Sequence, residues 1–161
     1  MDATQTYFAL REAGIELRLS EDRLLLHAHP AERLTAHLSA ALADNHTMLV
    51  KQELLKEVLR FVAERFRKRD GNPEGDYTPS PATRVAFEIM AANQEFIADA
   101  MEEYSLDGFK QTLRDYTRSA IEAYDNARRR LQDEPQQQDS VRDPDYAAAE
   151  QPVSPLQESL L

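Results

Sequence analysis

Residues 47–68 carry the pattern that most limits how this chain can fold. Val50, Leu54, Leu55, Val58, Leu59, Phe61, Val62 and Phe66 recur at helical spacing with no Pro or Gly between them, which predicts one helix of about 22 residues, roughly 33 Å long. Its apolar band is wider than one buried face requires, so one edge should meet the segment before it and the other a second partner. Val50, Leu54, Val58 and Phe61 are therefore expected to pair two copies as a homodimer.

Upstream, a helix over residues 3–13 should stop at Ala13-Gly14, where glycine accepts a left-handed conformation. Ile15-Glu16-Leu17-Arg18-Leu19 alternates apolar and polar, and Arg23 to His29 does so with one exception, which reads as a β-hairpin across Ser20-Glu21-Asp22. A four-residue loop built on a type I turn pairs Leu19 with Leu24, Leu17 with Leu26 and Ile15 with Ala28. The opposite face then shows Glu16, Arg18, Leu25, His27 and His29. A further helix, capped at Pro30 or Thr35, carries Leu34, Leu38 and Leu42 before Asp44-Asn45-His46 breaks it.

Downstream, residues 69–81 (RDGNPEGDYTPSP) concentrate turn-forming side chains and read as a linker. Residues 82–104 and 106–132 each repeat apolar side chains at helical spacing, with Ser105 as the N-cap of the second, so an antiparallel helix hairpin is expected over 82–132. Such a hairpin buries little alone and should pack on the 47–68 helix or on its copy in another chain. Residues 133–161 hold seven acids against Arg142 alone, with four Pro and five Gln; that composition predicts a disordered acidic tail. Its end, VSPLQESLL, places Val153, Leu156, Leu160 and Leu161 after a polar stretch, as in a short motif that docks on a partner, and the hairpin of another copy is the expected receiver. The fold class is α+β and mostly helical: an αββαα module over 1–68 with an extended third helix, the 69–81 linker, the helix hairpin and the tail.

The order helix, hairpin, helix, helix, carried by FALREAGIELRLSEDRLLLHAHPAERLTAHLSAALADNHTMLVKQELL, resembles the TubC-type N-terminal docking domain of modular peptide and polyketide synthetases over residues 7–55. The matching features are the LxxxGIxL run at Leu10 to Leu17, the strand pair closed by an acidic turn before Arg23-Leu24, the Leu34-Thr35 helix start and Leu54-Leu55. The resemblance implies a small, dimeric, non-catalytic module whose hairpin captures a short peptide of a partner protein. The capturing residues would be Glu16, Arg18, Arg23, Leu25 and His27. No condensation or ketosynthase domain follows, so the chain looks like a free-standing relative acting as an adaptor.

Other chemistries fit less well. With no Cys, thiol nucleophiles, disulfides and Cys-bound zinc fall away, and Gly14, Gly71, Gly75 and Gly108 are too scattered for a phosphate-cradling loop. Asp99-x-x-Glu102 and Glu122-x-x-Asp125 echo the carboxylate pairs of magnesium-dependent all-α nucleotide pyrophosphohydrolases, the alternative enzymatic reading. Glu102 and Glu122 each fall about 200° from a core alanine, however, which marks a solvated face. His27 and His29 share a strand face but lack an assured third ligand, so no metal or other cofactor is expected. Arg65, Arg67, Lys68 and Arg69, and Arg128 to Arg130, could touch nucleic acid as an accessory protein would, yet both clusters lie in the last turn of an expected helix and compensate its dipole. The net charge of −10 argues the same way, although residues 1–70 balance at 11 basic and 11 acidic. No run of 18 apolar residues occurs and an acid stands where a signal peptide begins, so a soluble cytoplasmic protein without membrane contact is expected.

Overall fold

The computed structural model describes residues 1–103 and 105–140. Within these the elements run α1 (Ala3–Glu12), β1 (Glu16–Leu19), β2 (Leu26–His29), α2 (Ala36–Asp44), α3 (His46–Arg69), α4 (Pro81–Ala92), α5 (Gln94–Glu103) and α6 (Leu106–Ser140), with a single 3-10 turn at Ala31–Arg33. The protein is mostly helical, with one small antiparallel sheet.

Local chemistry sets the first boundaries. Asp2 opens α1 with a capping box: its carboxylate accepts from the Gln5 amide at 2.8 Å, and the Gln5 side chain accepts from the Asp2 amide at 3.1 Å. Gly14, at φ +70°, ends the helix and lets the Ile15 amide reach back to the Leu10 carbonyl. The chain thereby re-enters the core, where Leu10, Ile15 and Leu38 pack with Leu17, Ala28, Leu34 and Leu42. Thr35 caps α2 through the Leu38 amide, which decides between the two expected starts. Asn45 then separates α2 from α3, and its side-chain amide donates to the Met1 and Ala41 carbonyls and the Thr6 hydroxyl.

The hairpin departs from the expected register. Leu19 pairs with Leu26, Leu17 with Ala28, Arg18 with His27 and Glu16 with His29, a slip of two residues that leaves a six-residue loop. The loop is stabilised from within: the Leu25 amide donates to the Ser20 hydroxyl, the Leu24 amide to the Asp22 carboxylate, the Arg23 amide to the Ser20 carbonyl, and the Ser20 hydroxyl to Asp22. Amides that ladder pairing would have needed are satisfied by side chains instead. An even slip preserves which residues share a face, so Leu17, Leu19, Leu26 and Ala28 still turn inward while Glu16, Arg18, His27 and His29 stay exposed. Leu24 does not join the inward face as expected; it sits in the loop, 46% exposed.

α3 is the common wall of two cores. Near its start Val50 and Leu54 bury against Ala100, Phe109 and Leu113, with Leu19, Leu26 and Val58 at the margin. Near its end Val62 and Phe66 bury against Ala82, Ala86, Met90, Ala120, Tyr124 and Ala127. The two parts of the chain therefore share one interior, and the wide apolar band of α3 is covered by α5 and α6 of the same molecule. This corrects the expected dimer surface: Val50 and Leu54 are buried, Val58 is half-buried against the same cluster, and Phe61 alone of the four is exposed. Lys51 enters this interior too, its ammonium donating to the Met101 carbonyl at 2.6 Å.

Two other boundaries differ from the sequence reading. The expected 82–104 helix divides at Asn93, which caps α4 through the Met90 carbonyl; the break lets Met90 serve the Phe66 core and Ala100 the Phe109 core. Ser105 caps α6 as expected, its hydroxyl accepting from the Gly108 amide at 3.2 Å. α6 then continues to Ser140, so residues 133–140 are helical rather than disordered; Glu134 and Gln136 to Gln138 favour the helix, although Pro135 within it does not. Residues 141–161, and with them the rest of the expected tail, lie outside the described residues.

Candidate docking surfaces and the Asp70 hub

The hairpin presents one face to α3 and the other to solvent. On the outer face Arg18 and Glu16 form an ion pair at 3.2 Å, both side chains well exposed, and His27 stands beside them opposite Arg18. Leu25 flanks this face from the loop, 53% exposed. Neither outer edge of the sheet has a strand partner among the described residues. Arg23, expected on the same face, turns away: its guanidinium meets the Glu57 carboxylate of α3 at 3.0 Å. The backbone of Arg23 is left-handed, φ +58°, a conformation that costs a residue with a Cβ about 1 kcal/mol or more.

Two open clefts border the hairpin. One, about 340 Å³, runs between the loop, α3 and α6, with Leu54, Val58 and Leu113 as floor and Arg23, Lys110 and Arg114 at the walls. The other, about 430 Å³, lies between α1, β1 and α3 and includes Tyr7, Leu17, Glu53 and Lys56. There the Lys56 ammonium sits 3.9 Å from the centre of the Tyr7 ring and 2.6 Å from Glu53. Both are open recesses at the margins of the hairpin.

The paired carboxylates do not converge. Glu102 borders a recess with Asp2, Asn45 and Met48, whereas Glu122 lines a separate groove with Val85 and Ile89. Asp125 is held by Arg69 at 3.0 Å. Among the described residues no group of three His, Asp or Glu side chains is placed to hold a metal ion, and His27 and His29 point outward from the strand. The first basic cluster is largely engaged within the molecule. Arg67 donates to the Asn72 and Gly75 carbonyls, Arg69 binds Asp125, and Arg65 lies 5.3 Å from the Phe61 ring centre.

The most concentrated polar cluster is one the sequence reading missed. Asp70, at the end of α3, accepts from the Ser80 hydroxyl (2.6 Å) and amide (3.1 Å), the Thr83 hydroxyl (2.7 Å), the Tyr124 phenol (2.6 Å) and the Tyr77 phenol. Burial opposes its ionisation, but the hydroxyl donors outweigh burial and hold the carboxyl well below the usual carboxylate range. Burial and the facing Asp70 carboxylate push the Tyr124 phenol up to about 12. Tyr124 is itself buried and stacks on Phe66, ring centres 5.3 Å apart. The expected linker is thus wound around one carboxylate that joins α3, α4 and α6. With five donors already on its two oxygens, Asp70 acts as a structural clasp. The signal was present as Ser80-Pro81-x-Thr83, a capped helix start preceded by an acid, but the turn-rich composition around it concealed the clasp.

No family model matches the chain, and neither a curated protein nor a solved structure is detectably similar to it.

Proposed function

We propose that this protein is a non-catalytic cytoplasmic docking module that takes up a short peptide of a partner protein along the exposed side of the β1–β2 hairpin, as the likeness of residues 7–55 to TubC-type docking domains implies. The observation that supports this reading most is the two-stranded sheet itself, packed on α3 by one face, open on the other, and with both edges free of strand partners among the described residues. A peptide laid along such an edge satisfies its own backbone groups by extending the ladder, and the alternating Glu16, Arg18 and His27 side chains give the choice of sequence. Leu25 supplies an apolar contact beside the polar face. Arg23 belongs to this surface only indirectly, by fixing the loop to Glu57.

The test is capture of partners from native-host lysate on the wild-type chain and on the Arg18→Glu/Leu25→Glu variant, read by mass spectrometry. A protein retained by wild type alone supports docking through the hairpin. Identical partner lists on both chains overturn it.

A further inference from the structure

An apolar groove of about 420 Å³ runs between α4 and the second half of α6, and it shares no residue with the two clefts at the hairpin. Val85, Ile89 and Leu131 line it, each between 37% and 45% exposed, over a floor of Ala123 and Ala127. Large aliphatic side chains left this open on a two-helix surface call for a further helix laid along it. The charges on α6 narrow the choice of that helix. Arg118, Glu122, Asn126, Arg130 and Glu134 recur every four residues and form one exposed row along α6; the last four border the groove. Counted outward from Asn126, the signs oppose at each step: Glu122 against Arg130, then Arg118 against Glu134. Among the described residues Glu122, Arg130 and Glu134 enter no ion pair, and Arg118 only meets Asp115 at 3.8 Å, both side chains well exposed.

We infer that the α4–α6 face is where two copies of this chain join, with α6 antiparallel to α6 about a two-fold axis at Asn126. In a two-fold interface the same patch serves both copies, so residue i meets j wherever j meets i. An axis at Asn126 sets Glu122 against Arg130 of the second copy, twice over, and Arg118 against its Glu134 at the margins, where long side chains still reach across. Asn126 lies beside its own copy, an uncharged residue at the one position that must face itself. No neighbouring register does this. Moving the axis to Glu122 or to Arg130 would face like charges on themselves, which costs stability. Helices packed with such four-residue rows side by side form the commonest class of helix pair, and small side chains such as Ala123 and Ala127 let the axes come close. The second α6 then covers the open sides of Val85 and Ile89. Beyond the docking reading, this makes the molecule a pair of chains with two separate hairpins.

The test is sedimentation equilibrium of the full-length chain, and its variants sit at exposed positions that the core does not use. Wild type should be dimeric. Glu122→Arg and Arg130→Glu each turn two attractions into two repulsions, and each should weaken association about tenfold or more. The double variant Glu122→Arg/Arg130→Glu should recover it, since every facing pair is again opposite in sign. An equimolar mixture of the two single variants should form a mixed dimer tighter than either variant forms alone, a gain that misfolded chains could not show. Ile89→Asp, which puts a carboxylate in the groove, should also weaken the dimer. A monomeric wild type overturns the inference and leaves the groove for a different protein. Single reversals or Ile89→Asp without effect on association, or a mixture no tighter than its components, overturn it as well.

Discussion

The phenol of Tyr124 on α6 donates to the carboxylate of Asp70 at the end of α3, 2.6 Å away and 54 residues apart in sequence. The same oxygen takes the Ser80 hydroxyl, so one acceptor links three helices at the far end of the molecule from the hairpin. Tyr124 and Phe66 sit directly beneath it, which couples a polar clasp to the core it covers.

Replacing the charged acceptor should therefore be costly. Asp70→Asn leaves four side-chain hydroxyl or phenol partners without an anion, and hydrogen bonds to charged groups contribute about 1.5–3 kcal/mol each before mutual compensation. A net loss of about 2–3 kcal/mol in urea unfolding is expected. The pH dependence has a fixed sign: the folded pKa lies below the unfolded value, so the stabilisation is present above about pH 4 and fades as pH falls toward the folded pKa. The variant should be less stable at pH 7 and show a shallower acid slope between about pH 4 and pH 2. An unchanged slope would mean that Asp70 is not the group these donors hold.

Tyr124→Phe keeps the stacked ring and removes one donor, for a smaller loss of about 1 kcal/mol. With its phenol pushed up to about 12, Tyr124 stabilises the fold fully below about pH 10 and loses that contribution as pH rises toward 12. In an alkaline absorbance titration the step near pH 12 should shrink by one tyrosine of the six in the chain. If that step is unaltered, the high-pH titration belongs to other phenols.

Leu54 distinguishes an internal core from a subunit contact. It is 5% exposed, packed with Phe109 and Leu113 of its own chain, so Leu54→Ala should destabilise by about 2–5 kcal/mol through the cavity it leaves. Sedimentation should give the same mass for wild type and variant at any concentration where both are folded. A shift in association constant instead would return α3 to an intermolecular role.

The sequence shows most of what depends on local chemistry. Gly14, Thr35, Asn45 and Ser105 mark boundaries where they were expected, because each acts on amides within a few residues of itself. The faces of β1 and β2 were also legible from alternation, although the register was not: alternation is blind to a slip of two, and the side-chain bonds of Ser20 and Asp22 decided it. Asn93 escaped notice since the apolar period runs through it unbroken. The Asp70 clasp was hidden for a different reason. Its partners lie at positions 77, 80, 83 and 124, and no periodic pattern connects them. Likewise, the width of the α3 band signalled a second partner correctly, but only tertiary packing could tell α6 of the same chain from another copy.

Leu25 and Leu26, adjacent in sequence, should respond oppositely to the same change, and this follows from the observed register. Leu26 pairs with Leu19 and packs at the edge of the Val50 and Leu54 cluster; Leu26→Glu would bring a carboxylate against apolar side chains, at a cost of about 2 kcal/mol or more. Leu25 lies in the loop and outside that cluster, so Leu25→Glu should keep the melting curve within about 0.5 kcal/mol of wild type while weakening partner capture. Thermal melts followed by far-UV circular dichroism read both. If Leu25→Glu is the damaging change and Leu26→Glu the silent one, the strand is shifted by an odd number of residues and its two faces are exchanged. The exposed face would then show Leu26 and Ala28 of β2 beside Glu16 and Arg18 of β1, a partly apolar surface that would select a different kind of peptide from the charged one read here.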